Sequence, residues 1–300
     1  MYLYHFGMRE LPFTLTPNTD FFLNLKPHIE AMQVLLNALK QGEGFIKVTG
    51  EVGTGKTLIC RKLLNEIPKG FAVAYIPNPY LTPSELRWAV ASELGLNLDS
   101  KMDQQTLTQR LQQHLLALSA QGKGVVVILD EAQALPDESL EALRLFTNLE
   151  TERRKLLQVI LFAQPELDER LATKQFRQLR QRISFSYQLR SMTPAEVAHY
   201  ITHRTQVAGY QGNDLFSFNC AKKIAKASRG IPRLVNILCH KSLLLCFGNK
   251  EKLVTKQHIK LAIEDTVDAT NRINPTLLIA GVALAAVITT GVFFSFGWRL

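Results

Sequence analysis

Eight residues, Gly50-Glu-Val-Gly-Thr-Gly-Lys-Thr57, restrict this chain more than any other stretch of it. Their spacing is G-x-x-x-x-G-K-[ST], which builds a backbone cradle for phosphates when a strand precedes it and a helix follows. Residues 45–49, Phe-Ile-Lys-Val-Thr, read as the strand, and residues 58–67 as the helix. Gly50, Gly53 and Gly55 let the chain turn tightly and aim successive N–H groups at phosphate oxygens, and the helix N-terminus adds a favourable dipole. The predicted nucleotide contacts therefore run through Gly50, Glu51, Val52, Gly53, Thr54, Gly55, Lys56, Thr57 and Leu58. Lys56 is expected to reach the β and γ phosphates, and Thr57 supplies a hydroxyl suited to Mg²⁺.

A second element has the matching chemistry. Val125-Val-Val-Ile-Leu-Asp-Glu131 is a continuous apolar run ending in two acids, the pattern of a central parallel strand. At its carboxyl end Asp130 is expected to hold the Mg²⁺ water shell, and Glu131 to orient and polarise the water that attacks a γ phosphate. Taken alone, the run also fits a buried strand followed by two solvated acids. The phosphate loop upstream favours the catalytic reading.

Three hundred residues, 46% of them hydrophobic, allow one large or two small domains with ample core. The net charge of +9 favours acidic partners such as nucleic acid or anionic lipid but carries no information about fold. Cys60, Cys220, Cys239 and Cys246 have no metal-ligand spacing and read as reduced, buried thiols. The first seven residues lack the basic region and apolar core of a cleaved signal peptide, so the bulk of the chain is expected in the cytosol. Residues 277–296 are twenty uncharged, mainly apolar residues, long enough at about 1.5 Å each to span a ~30 Å hydrocarbon layer. They read as one transmembrane helix, with Trp298 and Arg299 as an interfacial anchor. The alternative is a buried helix on the soluble core. Lys256, Lys260 and Arg272 before the run, against Arg299 after it, fit a cytoplasmic ATPase side.

Between these landmarks, strands are expected at 45–49, 71–76, 125–129, 156–163 and 183–189, with helices at 58–67, 83–94 and 104–119. This alternation predicts an α/β fold with a mainly parallel sheet. From residue 193 only helices are expected, at 194–209, 215–228, 232–246 and 255–270. The expected organisation is a segment at 1–40 flanking the nucleotide pocket, an α/β domain at 41–191, a helical lid at 192–270, a linker at 271–276 and the apolar helix at 277–296.

The order of phosphate loop, Leu129-Asp-Glu131, Gln164 after a strand, an arginine-rich stretch at 177–182 and Gly230-Ile-Pro-Arg233 resembles AAA+ P-loop ATPases. The opening Phe6-Gly-Met-Arg-Glu-Leu-Pro-Phe-Thr-Leu-Thr-Pro17, with Pro27-His-Ile-Glu-Ala31, is similar to the ExeA/GspA secretion ATPases. That resemblance implies ATP as the nucleotide, Mg²⁺ as its metal, and a homo-oligomer. It implies Gln164 as a sensor of the γ phosphate, where many relatives carry Asn; the amide could instead satisfy loop backbone. Arg233 is implied as the lid guanidinium that couples lid angle to phosphate state, with a surface arginine as the plain alternative. Arg177, Arg180 or Arg182, with Arg182 favoured, would reach a neighbouring subunit as an arginine finger, or else form a solvated basic face. Residues 13–28 would line the adenine pocket. The implied role is an ATPase at the bacterial inner membrane supporting type IV pilus or type II secretion assembly proteins, without nucleic acid. A DNA-handling ATPase of the transposition-helper type and a nucleotide-gated scaffold are the competing readings.

Overall fold

The structure, a computed structural model, describes residues 2–16, 19–99, 102–146 and 155–269. Five strands, β1 (Phe45–Gly50), β2 (Phe71–Ile76), β3 (Gly124–Leu129), β4 (Gln158–Ala163) and β5 (Ile183–Leu189), form one sheet in the order β2-β3-β4-β1-β5. Every pairing is parallel, so all five carboxyl ends share one edge. Successive residues of the inner strands feed opposite cores. Val125, Val127, Leu129, Val159 and Leu161 face one core, and Val126, Ile128, Ile160 and Phe162 the other. This two-sided burial is why these strands read as unbroken apolar runs.

Helix α1 (Leu3–Phe6) lies in the amino-terminal segment, α2 (Lys26–Gln41) and α3 (Lys56–Glu66) flank β1, and α4 (Pro83–Glu93) and α5 (Gln104–Ala120) lie between β2 and β3. Three shorter helices, α6 (Asp137–Phe146), α7 (Glu166–Leu171) and α8 (Arg177–Arg182), follow β3 and β4. Helices α2 and α3 cover one face of the sheet, and α4 to α8 the other. The sequence reading anticipated neither α2 nor α6 to α8. In α2 the signal was present: Pro27 stands in the first turn, where its missing N–H costs nothing, and Ala31, Leu35, Ala38 and Leu39 recur on one buried stripe. In α8 only Leu179 is buried, so no periodicity marks it.

The lid comprises α9 (Pro194–Val207), α10 (Phe218–Ser228), α11 (Pro232–Gly248) and α12 (Lys256–Glu264). Thr193 opens α9 with a reciprocal capping box to Glu196. The helix expected from residue 215 begins only at Phe218, because Leu215 and Phe216 are buried in the lid and Phe216 pairs with Val254 across a short parallel bridge. The helix expected to reach residue 270 stops at Glu264, followed by a short turn at Val267–Ala269. Tyr2, Phe6, Met8, Phe13, Phe21 and Leu25 are buried among Val197, Ile201, Val235 and Leu238, so the amino-terminal segment is built into the lid core. Among the described residues no helix is long and apolar enough to cross a membrane. The linker at 271–276 and the apolar span expected at 277–296 lie outside the described residues.

Candidate active site

A cavity of about 370 Å³ opens at the carboxyl edge of the sheet, between the α/β domain and the lid. The strand order explains its position. The chain reverses direction about β1, which lies between β4 and β5, and open parallel sheets leave a crevice at such a reversal.

The phosphate loop is folded as a cradle. Gly53 and Gly55 have φ of 80° and 100°, values that a side chain would strain. A Cβ on Gly53 would lie 2.6 Å from that of Arg233, and one on Gly50 would lie 2.9 Å from the Thr54 hydroxyl. Lys56 is buried, and its ammonium donates to the carbonyls of Gly50 (2.7 Å) and Glu51 (3.0 Å) rather than to a carboxylate. Burial holds its pKa below the ordinary lysine value, against the pull of Glu131 and Asp130. A buried cation whose hydrogen bonds among the described residues go to carbonyls is what an anionic ligand would neutralise.

Asp130, at the end of β3, is buried and raised above the usual carboxylate range by that burial, against hydrogen bonds from the Thr57 hydroxyl and the Glu131 N–H. Thr57 and Asp130 thus form a hydrogen-bonded pair of oxygen ligands. Among the described residues no group of three or more His, Cys, Asp or Glu could hold a metal by itself. The pair suits Mg²⁺, which takes most of its shell from water and phosphate oxygens.

Glu131 lines the cavity in a left-handed backbone conformation, φ 53°. One carboxylate oxygen accepts from the Gln133 amide (2.5 Å) and the Gln164 amide (3.0 Å), and the Gln164 N–H donates to the Gln133 side chain (3.0 Å). Gln164 can reach Glu131 because β4 lies directly beside β3. Arg170 on α7 fixes the segment after Glu131 through the carbonyls of Gln133 (2.8 Å) and Leu135 (2.9 Å) and through Asp137. Neither Gln133 nor Arg170 was singled out from sequence. Their role comes from packing between α7 and the turn after β3.

Arg233, in the first turn of α11, lines the cavity, and its N–H donates to the Gly53 carbonyl (3.3 Å), so the lid touches the phosphate loop. Arg177, Arg180 and Arg182 lie elsewhere. They are exposed on α8, which leads into the amino end of β5 and so lies at the sheet edge opposite this chain's own cavity.

The other end of the cavity is made by Thr14, Leu15, Phe21, Phe22, His28, Tyr200, Arg204 and Asn236. Arg204 donates to the Pro12 carbonyl and to the Tyr200 hydroxyl (3.0 Å), which donates to Asn236 (3.0 Å); the Asn236 amide donates to the Thr14 carbonyl (3.3 Å). The guanidinium carbon lies 4.7 Å from the Phe21 ring centroid, and Nη2 is buried with no hydrogen-bond partner among the described residues. His28 stacks on Phe22, and burial pushes its imidazole below the ordinary value. Aromatic faces with one unspent donor can accept a planar, hydrogen-bonding ring.

Residues 39–171 match the family of AAA domains. The chain is 41% identical over 262 residues to general secretion pathway protein A of Aeromonas hydrophila, an alignment covering 87% of this chain and 48% of that protein. The chain therefore spans about half the length of this curated relative. Among solved structures the fold is similar to Cdc6p of Pyrobaculum aerophilum, with a TM-score of 0.64 at 18% identity, covering 85% of this chain and 70% of that one. It is also similar to Drosophila ORC bound to DNA (0.61, 19%, covering 84% and 63%) and to the RuvB Holliday junction branch migration motor of Thermotoga maritima (0.58, 16%, covering 92% and 81%). The α/β fold with its five-stranded parallel sheet is thus a P-loop AAA fold.

Proposed function

We propose that this chain is an ATPase whose nucleotide cycle serves assembly of a secretion or pilus machine at a membrane. The observation that carries the enzymatic part is the convergence of Lys56, the Thr57–Asp130 pair, the Glu131–Gln164 pair and Arg233 on one cavity. Bound Mg²⁺, held by Thr57 and Asp130, would neutralise charge on the β and γ phosphates. Lys56 exchanges its backbone carbonyls for phosphate oxygens. Glu131 orients the attacking water and accepts its proton, and its contact with Gln164 lets the phosphate state reach β4. Arg233 carries the same information to the lid, because its backbone already bonds the phosphate loop. The base is received between Phe21, Tyr200 and Arg204. The exposed arginines of α8, Arg182 foremost, act on the nucleotide of a neighbouring copy, which makes turnover depend on assembly.

The secretion part draws on the identity to general secretion pathway protein A, and the membrane part on the twenty apolar residues at 277–296. We place the ATPase domain on the cytoplasmic face of a bacterial inner membrane, with a type IV pilus of the mannose-sensitive haemagglutinin kind or a type II secretion machine as client. The test is ATP hydrolysis by the full chain in lipid across a protein concentration series. Specific activity rising with concentration, and lost in Arg182→Ala with ATP binding kept, is the expected result. Turnover independent of concentration would remove the trans-acting arginine, and ATP binding without turnover would leave a nucleotide-gated scaffold.

A further inference from the structure

The lid carries a basic seam that the nucleotide cycle does not use. On α10, Lys222 and Lys226 are exposed and Lys223 is half-buried, their spacing putting them on the side opposite the buried Cys220, Ala221, Ile224 and Ala225, and the exposed Arg229 follows as the C-cap. On α12, Lys256 and Lys260 are exposed opposite the buried His258, Ile259 and Ala262. The two helices run side by side. The Lys223 ammonium donates to the Lys256 carbonyl (3.3 Å) at one end, and Arg229 donates to the Asp268 carbonyl (3.0 Å) at the other. The carboxylates of this surface, Glu264, Asp265 and Asp268, gather at its carboxyl end, where Glu264 approaches Lys260 (3.7 Å) and Asp265 pairs with Lys241 (2.8 Å). From Phe218 to Lys226 and from Lys256 to Lys260 there is no acid. Two apolar side chains stand among these cations: Phe218, one turn before Lys222 and 59% exposed, and Leu261, beside Lys260 and 42% exposed.

We propose that the α10–α12 seam docks on the surface of an anionic bilayer. The inference rests on the reading of residues 277–296 as a membrane segment. Seven residues separate Ala269 from Leu277, so the two are eight steps apart and can be no more than about 29 Å from each other. A bilayer holding that segment therefore lies within reach of the seam. Lysines near an anionic leaflet are attracted within about a Debye length, and interleaved apolar side chains enter the headgroup layer. Duplex nucleic acid would also attract the lysines but gives Phe218 and Leu261 no apolar layer to enter. Docking would fix the orientation of α11, which packs on α12 and carries Arg233, relative to the membrane plane.

The test uses the full chain in nanodiscs of phosphatidylcholine, alone or with about a third phosphatidylglycerol. A dye on Leu261→Cys reports quenching by spin-labelled headgroups, and a dye on Leu116→Cys of α5 is the distant control; the four native cysteines are buried. Expected is roughly threefold stronger quenching at 261 in anionic discs, no change at 116, and loss of the difference at about 0.5 M salt. The same loss is expected in Lys222→Gln/Lys226→Gln/Lys256→Gln/Lys260→Gln. Equal quenching in both lipids, or equal quenching at both dyes, overturns the proposal. If the quadruple variant keeps its quenching but loses salt-dependent binding of a labelled DNA duplex, the seam is a nucleic-acid surface instead. Failure of the chain to remain in neutral discs removes the membrane segment and the docking together, whereas retention without lipid-dependent quenching removes the docking alone.

Discussion

The two ends of the nucleotide cavity are built differently. The phosphate end comes from short stretches on three neighbouring strands: residues 50–58 after β1, Asp130 and Glu131 after β3, and Gln164 after β4. The base end comes from segments nearly two hundred residues apart, with Thr14 and Phe21 from the amino-terminal segment meeting Tyr200 and Arg204 from α9 and Asn236 from α11. One end is local motif held on rigid strands, and the other is an assembly of lid and strap. Rate is therefore expected to depend on the first, and affinity, coupled to lid position, on the second.

The sharpest break of that comparison is at Glu131. Glu131→Gln is expected to lower steady-state ATP hydrolysis by roughly 10² to 10⁴-fold while keeping nucleotide binding, and Lys56→Ala to lose both. Retained turnover in Glu131→Gln would move the general base elsewhere. The next largest effect is expected in the lid, at the turn between α10 and α11 that sets Arg233 in place. Gly230 has φ 70°, and a Cβ there would lie 2.0 Å from the Met192 carbonyl oxygen, whose residue's N–H donates to the Gly230 carbonyl (2.9 Å). Gly230→Ala should destabilise the fold by about 2–4 kcal/mol, read from the denaturant midpoint.

Arg204 sharpens the comparison from the base end. Arg204→Met should raise KM for ATP about tenfold, roughly 1.4 kcal/mol, with kcat nearly unchanged, and should leave inhibition by inorganic tripolyphosphate as it was. Loss of tripolyphosphate binding as well would show that the two ends are not separable. The smallest effect concerns the joint between sheet and lid. Arg190 clamps Glu196 with two bonds (2.8 and 2.9 Å), and that guanidinium, with the Thr193 cap, depresses the Glu196 carboxyl from 4.5 to about 2. A group depressed on folding stabilises above its unfolded pKa and loses that contribution as pH falls through the folded one. Acid titration of thermal stability between pH 4.5 and about 2 should therefore fall more steeply in the native chain than in Glu196→Gln.

The phosphate end was legible because its chemistry is written in consecutive residues whose backbone conformation is local: a glycine at φ 100° before Lys56 needs no distant partner to be required. The inner strands β1, β3 and β4 were legible because both their faces are buried, so hydrophobicity alone marks them, and the edge strand β5 because its residues alternate between half-buried and exposed. Helix α8 was not, since six residues with one buried leucine give no period. Arg204 was not, because an arginine on α9 reads as solvated until Pro12, Phe21 and Tyr200 close around it.

By itself the sequence determined that this protein has a phosphate cradle, two acids at the end of a buried strand, a helical region after residue 193 and one long apolar segment. Tertiary structure alone decided that β4 lies between β1 and β3, which brings Gln164 to Glu131, and that the amino-terminal segment is buried in the lid rather than on the sheet. The physical reason is range: backbone turns and strand burial follow from neighbours in the chain, whereas strand order and the closing of a pocket depend on which distant surfaces remove the most apolar area from water.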